Sequence, residues 1–133
     1  MSNWTHVAGI VRIDGLRGIM EAPDFDKIFG KECLFDSPSA VWRDYDEHPD
    51  DYLPMGWEGS LQKSIWVNPD EDCTAAYTIS IFGDLRDHHN PMEIIDWFKQ
   101  ICTRNDLWIR NACIVADNEL NGVASWHYEH EKL

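Results

Sequence analysis

Apolar and polar residues alternate along several stretches of the chain. This period of two predicts β-strands, because successive side chains of a strand point to opposite faces. In the first stretch, one set of alternate positions is mostly apolar: Val7, Gly9, Val11 and Ile13. The other set is mixed: His6, Ala8, Ile10 and Arg12. The predicted strands are residues 4–13, 60–68, 74–82, 107–116 and 123–130.

Turn signals join four of these strands in pairs. Residues 69–72 (PDED) are typical turn formers and predict a hairpin between the second and third strands. Asn121 and Gly122 predict a second hairpin between the last two strands.

Two stretches have the spacing of a helix. Residues 23–30 (PDFDKIFG) place apolar side chains at i, i+3 and i+4, and they predict a short helix of about two turns. Asn90 and Pro91 predict the start of a longer helix, since asparagine caps free amides and proline suits the first helical position. That helix should end near Arg104, and its apolar stripe is Ile94, Ile95, Phe98, Ile101 and Cys102.

Residues 31–59 show no sustained period and contain several prolines and glycines. A stretch of this length without regular structure is uncommon in a compact domain, and it is often functional or a covering loop. It holds the tryptophans and tyrosines Trp42, Tyr45, Tyr52 and Trp57. Residues 44–51 carry five acids, which are Asp44, Asp46, Glu47, Asp50 and Asp51.

The predicted order in this single domain, residues 1–133, is β-α-insert-β-β-α-β-β. Its first six elements are those of the split βαβ unit. We therefore expect an α+β fold, a ferredoxin-like β-α-β-β-α-β sandwich with an extra C-terminal strand and a long irregular insert after the first helix.

Two helices would cover only one face of such a sheet. Trp66, Trp108 and Trp126 are candidates for the second face, and a large apolar face is usually buried. The insert or a second subunit in a homodimer would provide this cover, and a ligand groove is the alternative.

The net charge of −13, from 24 acidic and 11 basic residues, narrows the choice of partners. A negative field repels phosphate backbones and anionic membranes, so we expect neither nucleic acid nor a membrane as a direct partner. A protein partner with a basic surface fits this charge. Plain solubility and imitation of a nucleic acid duplex remain alternative interpretations.

The acidic and aromatic insert, with one tryptophan of the second strand, supplies the predicted binding residues. They are Trp42, Asp44, Asp46, Glu47, Asp50, Asp51, Trp57 and Trp66.

Residues 84–89 (DLRDHH) form the densest polar cluster and contain the residue types of a metal or acid–base site. Adjacent histidines on a loop diverge easily, and no further ligand follows at a recognised spacing. A solvated loop before a helix is the favoured interpretation. His127 and His130 would face opposite sides of a strand. We therefore expect no metal, no cofactor and no catalytic residue.

The four cysteines form no C-x-x-C pair, which argues against a zinc ribbon or a redox motif. Cys102 and Cys113 lie in apolar stretches and are predicted to be buried free thiols. Cys33 lacks the flanking signature of a nucleophile. Met1 leads into a strand without a basic or long apolar leader, so we expect a cytoplasmic protein with reduced thiols.

Three segments carry a resemblance to a group of proteins: residues 4–10 (WTHVAGI), 29–32 (FGKE) and 81–87 (IFGDLRD). In these segments the chain resembles small acidic proteins encoded by bacteriophages and prophages. Such proteins, where they are not structural, often bind and inhibit a host protein. The resemblance therefore implies a host partner and the host cell cytoplasm, and it implies no catalytic residue.

Three functions follow from these observations, in order of preference. The first is a non-enzymatic accessory protein that binds a basic protein through its acidic insert and aromatic surface. The second is a small-molecule or cation-binding protein with a pocket between insert and sheet, near Trp57, Trp66 and residues 84–89. An enzyme ranks last.

Overall fold

The structure, a computed structural model, describes residues 2–16, 22–32, 44–68, 74–88 and 90–129. Its strands are β1 (Trp4–Leu16), β2 (Gln62–Val67), β3 (Thr74–Arg86), β4 (Trp108–Asn118) and β5 (Gly122–His127). Its helical elements are α1 (Phe25–Phe29), a helical stretch at residues 44–47, a 3₁₀ turn (Pro49–Asp51) and α2 (Pro91–Cys102). The strands form one antiparallel sheet in the order β2-β3-β1-β4-β5.

Strand β1 lies at the centre of this sheet. It pairs with β3 over its whole length and with β4 over most of it. Its predicted alternation is confirmed, because Val7, Val11 and Ile13 are buried whereas His6 and Ile10 are exposed. The sheet therefore has two distinct faces. The five predicted strands and the pairing within both hairpins are also confirmed, with shifts of up to four residues at the strand ends. Residues 69–72, the predicted turn of the first hairpin, lie outside the described residues.

Helix α2 covers one face, where it packs against β4 and β5. It begins as predicted, because the Asn90 side chain accepts a hydrogen bond from the Met92 amide at 3.0 Å. Phe98 meets Trp126 of β5 edge to face, with ring centroids 5.9 Å apart. The predicted apolar stripe of the helix is buried, and it consists of Ile94, Ile95, Phe98, Ile101 and Cys102.

The described part of the insert packs against the same face as α2. Leu53 and Leu61 are fully buried, and they belong to the same core as Ile79, Ile81 and Leu85 of β3. Residues 44–47 are helical, and short bridges hold the rest of the segment in place. An irregular segment thus fills the space over β3 that a second long helix would take.

The expectation of a ferredoxin-like α+β sandwich is therefore wrong. The described chain is mostly a five-stranded antiparallel sheet with little helix, so the fold is sheet-rich. Helix α1 has only five residues, because Gly30 adopts a φ of 105° and Lys31 then pairs with Tyr52. The apolar spacing of residues 23–30 indicated a helix, but the backbone pairing that follows limits its length.

Two glycines allow the insert backbone to lie directly against β3. The Trp57 amide donates to the Arg86 carbonyl at 2.8 Å, and the Arg86 amide donates to the Glu58 carbonyl at 2.9 Å. A Cβ atom at Gly56 would lie 2.5 Å from the Arg86 nitrogen. At Gly59, where φ is 82°, a Cβ atom would lie 2.0 Å from the Asp84 oxygen. No side chain fits between the two backbones.

We expect Gly59→Ala to lower the free energy of unfolding by about 2 kcal/mol or more, because the added methyl group overlaps a backbone carbonyl. The control is Gly15→Ala, whose Cβ atom would meet no described atom within 4 Å. It should change stability by less than about 0.5 kcal/mol. Urea unfolding followed by tryptophan fluorescence measures both. Equal effects of the two substitutions would contradict the close approach.

A buried polar network joins the N-terminal segment, the β3–α2 connection and the β4–β5 turn. Its centre is Asn118, which is 1% exposed. The Asn118 Nδ2 donates to Thr5 Oγ1 at 2.9 Å and to the His88 carbonyl at 3.1 Å. Its Oδ1 accepts from the amides of Leu120 and Asn121 at 3.0 and 2.8 Å. One side chain therefore connects three separate segments.

We expect Asn118→Ala to cost about 3 kcal/mol of stability, because it leaves several buried polar groups without partners. Asn111→Ala on the same strand is the control, since Asn111 is exposed, and its effect should stay within about 0.5 kcal/mol. Calorimetric melting of both variants tests the difference. A melting temperature for Asn118→Ala that matches the control would refute this role.

Candidate functional site

No described segment covers the face of the sheet opposite α2, and this open face has apolar side chains at its centre. Ile10, Phe82 and Val115 are 50%, 42% and 45% exposed. Ala8 lies opposite Phe82 on β3 and Val115 on β4, while Ile10 lies opposite Cys113. Side chains at such paired positions touch across the strands. We call Ala8, Ile10, Phe82, Cys113 and Val115 the open-face patch.

Two further apolar residues lie on the same face, nearer its edges. Trp66 on β2 is 54% exposed, and Val123 on β5 is 66% exposed. The strand register places Trp66 opposite Thr78 and Val123 opposite Asp117, which both belong to the open face. Polar residues therefore separate these two side chains from the open-face patch along the paired rows.

An imidazole between two carboxylates lies at one end of the open-face patch. His6 Nδ1 is 2.7 Å from Asp84 Oδ1 of β3, and His6 Nε2 is 3.6 Å from Glu119 Oε2. Asp117 of β4 is the residue opposite His6. We call these four residues the acidic end. A hollow of about 480 Å³ extends from it to Phe82 and neighbouring patch residues.

The acidic end changes the titration of its histidine. The hydrogen bond with the Asp84 carboxylate raises the pKa of His6 above its ordinary 6.5, and Glu119 adds to this effect. Partial desolvation opposes the rise. The imidazole is thus biased towards its charged form, with each ring nitrogen directed at a carboxylate. Its charge offsets only part of the negative charge around it.

We expect the imidazole resonances of His6 to titrate above pH 6.5 in an NMR titration, because Asp84 favours the charged ring. Asp84→Asn should lower this pKa, whereas Asp96→Asn on the exposed side of α2 should not. Since the folded-state pKa is raised, the stabilisation by His6 is present below about pH 6.5. It is lost as the pH rises through the folded-state value. If His6 had the same pKa in Asp84→Asn and in Asp96→Asn, the pairing of His6 with Asp84 would be contradicted.

The predicted acidic binding residues lie away from the open-face patch. The Asp44 carboxylate accepts a hydrogen bond from the Tyr52 hydroxyl, which holds it within the insert. The other four acids are exposed: Asp46, Glu47, Asp50 and Asp51. The Lys31 amide, just after α1, donates a hydrogen bond to the Asp51 carbonyl at 2.8 Å. The insert therefore lies beside α1, whereas the open-face patch lies on the opposite face of the sheet. Trp42 lies outside the described residues.

The two described tryptophans of the predicted set are exposed but far apart. Trp57 is 73% exposed, and its amide bonds to Arg86 near the end of β3. Trp66 lies opposite Thr78, nearer the start of β3. These partner positions differ by eight residues of a strand, or about 26 Å at ~3.3 Å per residue. The structure therefore does not bring the two indoles into one pocket.

The polar cluster of residues 84–89 is divided by the fold. Strand β3 continues to Arg86, so Asp84 is a strand residue that faces the open side. Asp87 accepts a hydrogen bond from the N-terminal segment, and His88 lies 3.5 Å from Glu93 of α2. Among the described residues, no three His, Cys, Asp or Glu side chains are grouped so that they could hold a metal ion. His89, like His130, lies outside the described residues.

The two described cysteines have opposite environments. Cys102 is the last residue of α2 and is buried, and burial raises the pKa of its thiol to about 12, which makes it unreactive. Cys113 is exposed in the open-face patch, so the prediction that it is buried is wrong. The inward positions of β4 are taken by Ala112 and Ile114, which leaves Cys113 on the other face. Cys33 lies outside the described residues.

Sequence reasoning missed the open-face patch, although a signal for it was present. Ala8 and Ile10 occupy positions of β1 that alternate with the buried ones, and a strand with one solvated face usually has polar residues there. Of the residues that were identified for this face, Trp66 lies on it, and Trp108 lies opposite Asp14 at one end of it. Trp126, which was considered beside them, is half-buried against Phe98 on the helix-covered face.

Comparisons of the chain with protein-family models, curated proteins and solved structures find no match. Over the described ranges, no helix has the length and hydropathy needed to cross a bilayer. The function is therefore argued from the site itself.

Proposed function

We propose that the chain is a non-enzymatic accessory protein that binds a protein partner through the open-face patch and the acidic end. The observation that carries this proposal is the exposed apolar surface of Ile10, Phe82 and Val115 beside a charged rim. Soluble proteins rarely expose large contiguous apolar surfaces without a binding role. An apolar centre with a polar rim is also the usual anatomy of a protein interface.

The charges of the rim favour a basic partner. Asp84, Asp117 and Glu119 surround a single imidazole at the acidic end, and the whole chain has a net charge of −13. A second copy docked on this face would bring two acidic ends into one interface, and like charges in an interface are unfavourable. A partner with lysine or arginine beside an apolar surface would complement both features.

The geometry at His6 supports binding rather than catalysis. A general base needs a ring nitrogen within reach of the proton that it removes. The Nδ1 atom of His6 bonds to Asp84 at 2.7 Å, and the Nε2 atom faces Glu119 at 3.6 Å. Both nitrogens are thus engaged with carboxylates of the chain. A basic side chain of a partner can instead join these carboxylates directly.

The resemblance to small acidic phage and prophage proteins supports a more specific form of the proposal. In that form the partner is a host protein, the binding inhibits it, and the encounter takes place in the host cell cytoplasm. A protein that normally binds nucleic acid has the required basic surface. Its displacement from nucleic acid by the acidic end would be the means of inhibition.

We expect immobilised protein to capture a basic protein from lysate, and Phe82→Ser to abolish the capture by removing apolar contact area. Leu120→Ser is the control, because Leu120 is 79% exposed in the β4–β5 turn, outside the patch. Capture by the wild type should weaken as salt increases, and this salt dependence should be smaller for Asp84→Asn. Quantitative mass spectrometry of the captured proteins compares the variants.

Alkylation of Cys113 provides a second readout on the same complex. The thiol lies in the middle of the open-face patch, so a bound partner should slow its reaction with iodoacetamide. Two results would exclude the open-face patch as the binding surface. One is capture that Phe82→Ser leaves unchanged, and the other is a complex in which Cys113 reacts as fast as in the free protein. A lysate that yields no protein at low salt would count against the proposed function itself. Dimers of the chain alone that protect Cys113 would identify a second copy as the occupant.

A further inference from the structure

A pocket of about 280 Å³ opens at the end of the sheet opposite the acidic end. Its apolar wall comes from four separate parts of the chain: β1, α1, the start of β3 and the segment that leads into β4. The residues of this wall are Ile13, Ile28, Tyr77, Leu107 and Trp108. We call this cavity the end pocket. It is distinct from the open-face patch. It is also not the pocket expected near Trp57, because Trp57 bonds to Arg86 at the other end of β3.

The apolar wall is held in place before any ligand binds. Ile28, Tyr77 and Leu107 pack against the hydrophobic core. The ring of Phe25 meets the ring of Tyr77 edge to face at 5.4 Å, which fixes the orientation of the tyrosine. Trp108 is 50% exposed at the rim. The pocket thus offers two aromatic rings, one fixed and one at its mouth.

Most charges around the end pocket are already paired. Asp14 lies 2.9 Å from Arg12 and 3.3 Å from Arg110, so two cations offset it. Asp106 and Arg104 form a close pair at 2.6 Å. These contacts neutralise two of the three carboxylates that line the cavity, and the third is Asp24 at the start of α1.

Two hydrogen-bond donors on the wall have no partner among the described residues. Lys27 lines the pocket, and its ammonium group makes no ion pair within the described ranges. The Tyr77 hydroxyl likewise makes no hydrogen bond to any described group. The lining has two cations, Lys27 and Arg104, and three carboxylates, and Arg12 and Arg110 pair with Asp14 from outside it. Because Arg104 is paired with Asp106, Lys27 is the cation of this lining that is left for a ligand.

We propose that the end pocket binds a small organic anion with one carboxylate and an aromatic or similarly flat apolar group. The apolar group would lie against Tyr77 and Trp108, and the carboxylate would accept hydrogen bonds from the Lys27 ammonium and the Tyr77 hydroxyl. Charge-assisted hydrogen bonds of this kind provide orientation in an otherwise apolar site.

The size and charge of the pocket limit the class of ligand. A volume of about 280 Å³ is at the low end for small-molecule sites, which fits a molecule of one or two rings. The Asp24 carboxylate on the wall disfavours a ligand with several negative charges, such as a nucleoside triphosphate, because like charges repel at close range. A monocarboxylate gains the Lys27 contact with the smallest repulsion.

The test uses indole-3-acetate as the probe and its uncharged amide, indole-3-acetamide, as the matched ligand. In ¹H–¹⁵N NMR titrations of the full chain, the acetate should shift the amides of Gly15, Ile28 and Leu107 and the indole N–H of Trp108. Lys27→Met should weaken acetate binding about tenfold and leave amide binding unchanged, since it removes one charge-assisted hydrogen bond.

Lys99→Met is the control variant, because it removes the same charge from the exposed side of α2. It should leave both affinities unchanged. Equal weakening by Lys27→Met and Lys99→Met would overturn the proposal, since it would show only an effect of net charge. Shifts that lie elsewhere, or no shifts at millimolar acetate, would also overturn it. Phe82→Ser should not alter acetate binding, so the result is independent of the proposed partner surface.

Discussion

The pairing of β1 with a strand on each side is the constraint on which the rest of the structure depends. Because β1 is hydrogen-bonded to both β3 and β4, its register fixes which residues of three strands share a face. A slip of one residue would place Val11 in solvent and Ile10 in the core. The same register that buries Val7, Val11 and Ile13 also aligns Ile10, Phe82 and Val115 on the other side.

The two faces of the sheet differ in what covers them. Helix α2 covers β4 and β5, and buried residues of the insert cover the region of β3 on the same side. The insert is held there by backbone hydrogen bonds to Arg86 and by glycines that permit close contact. The open face has no comparable cover in the described part of the chain. Its apolar centre is therefore available to a partner.

The net charge of −13 hides an uneven distribution of charge along the sheet. At one end Asp84, Asp117 and Glu119 surround a histidine, which suits a basic protein. At the other end two of the three carboxylates that line a small apolar pocket are paired with arginines, and Lys27 makes no ion pair among the described residues, which suits an organic anion. Because charge acts mainly over about a Debye length, each end of the sheet has its own local field. Net charge alone describes neither site.

Local patterns in the sequence were enough to determine the strands, the faces of β1 and the capped start of α2. Each depends on neighbouring residues, through the period of a strand or the bond from Asn90 to the Met92 amide. Tertiary structure alone decided the rest. The length of α1 depends on the pairing of Lys31 with Tyr52, and the missing second helix layer depends on Leu53 reaching the core of β3. The open-face patch and the end pocket likewise join residues that are distant in sequence, so only strand register and long-range packing could bring them together.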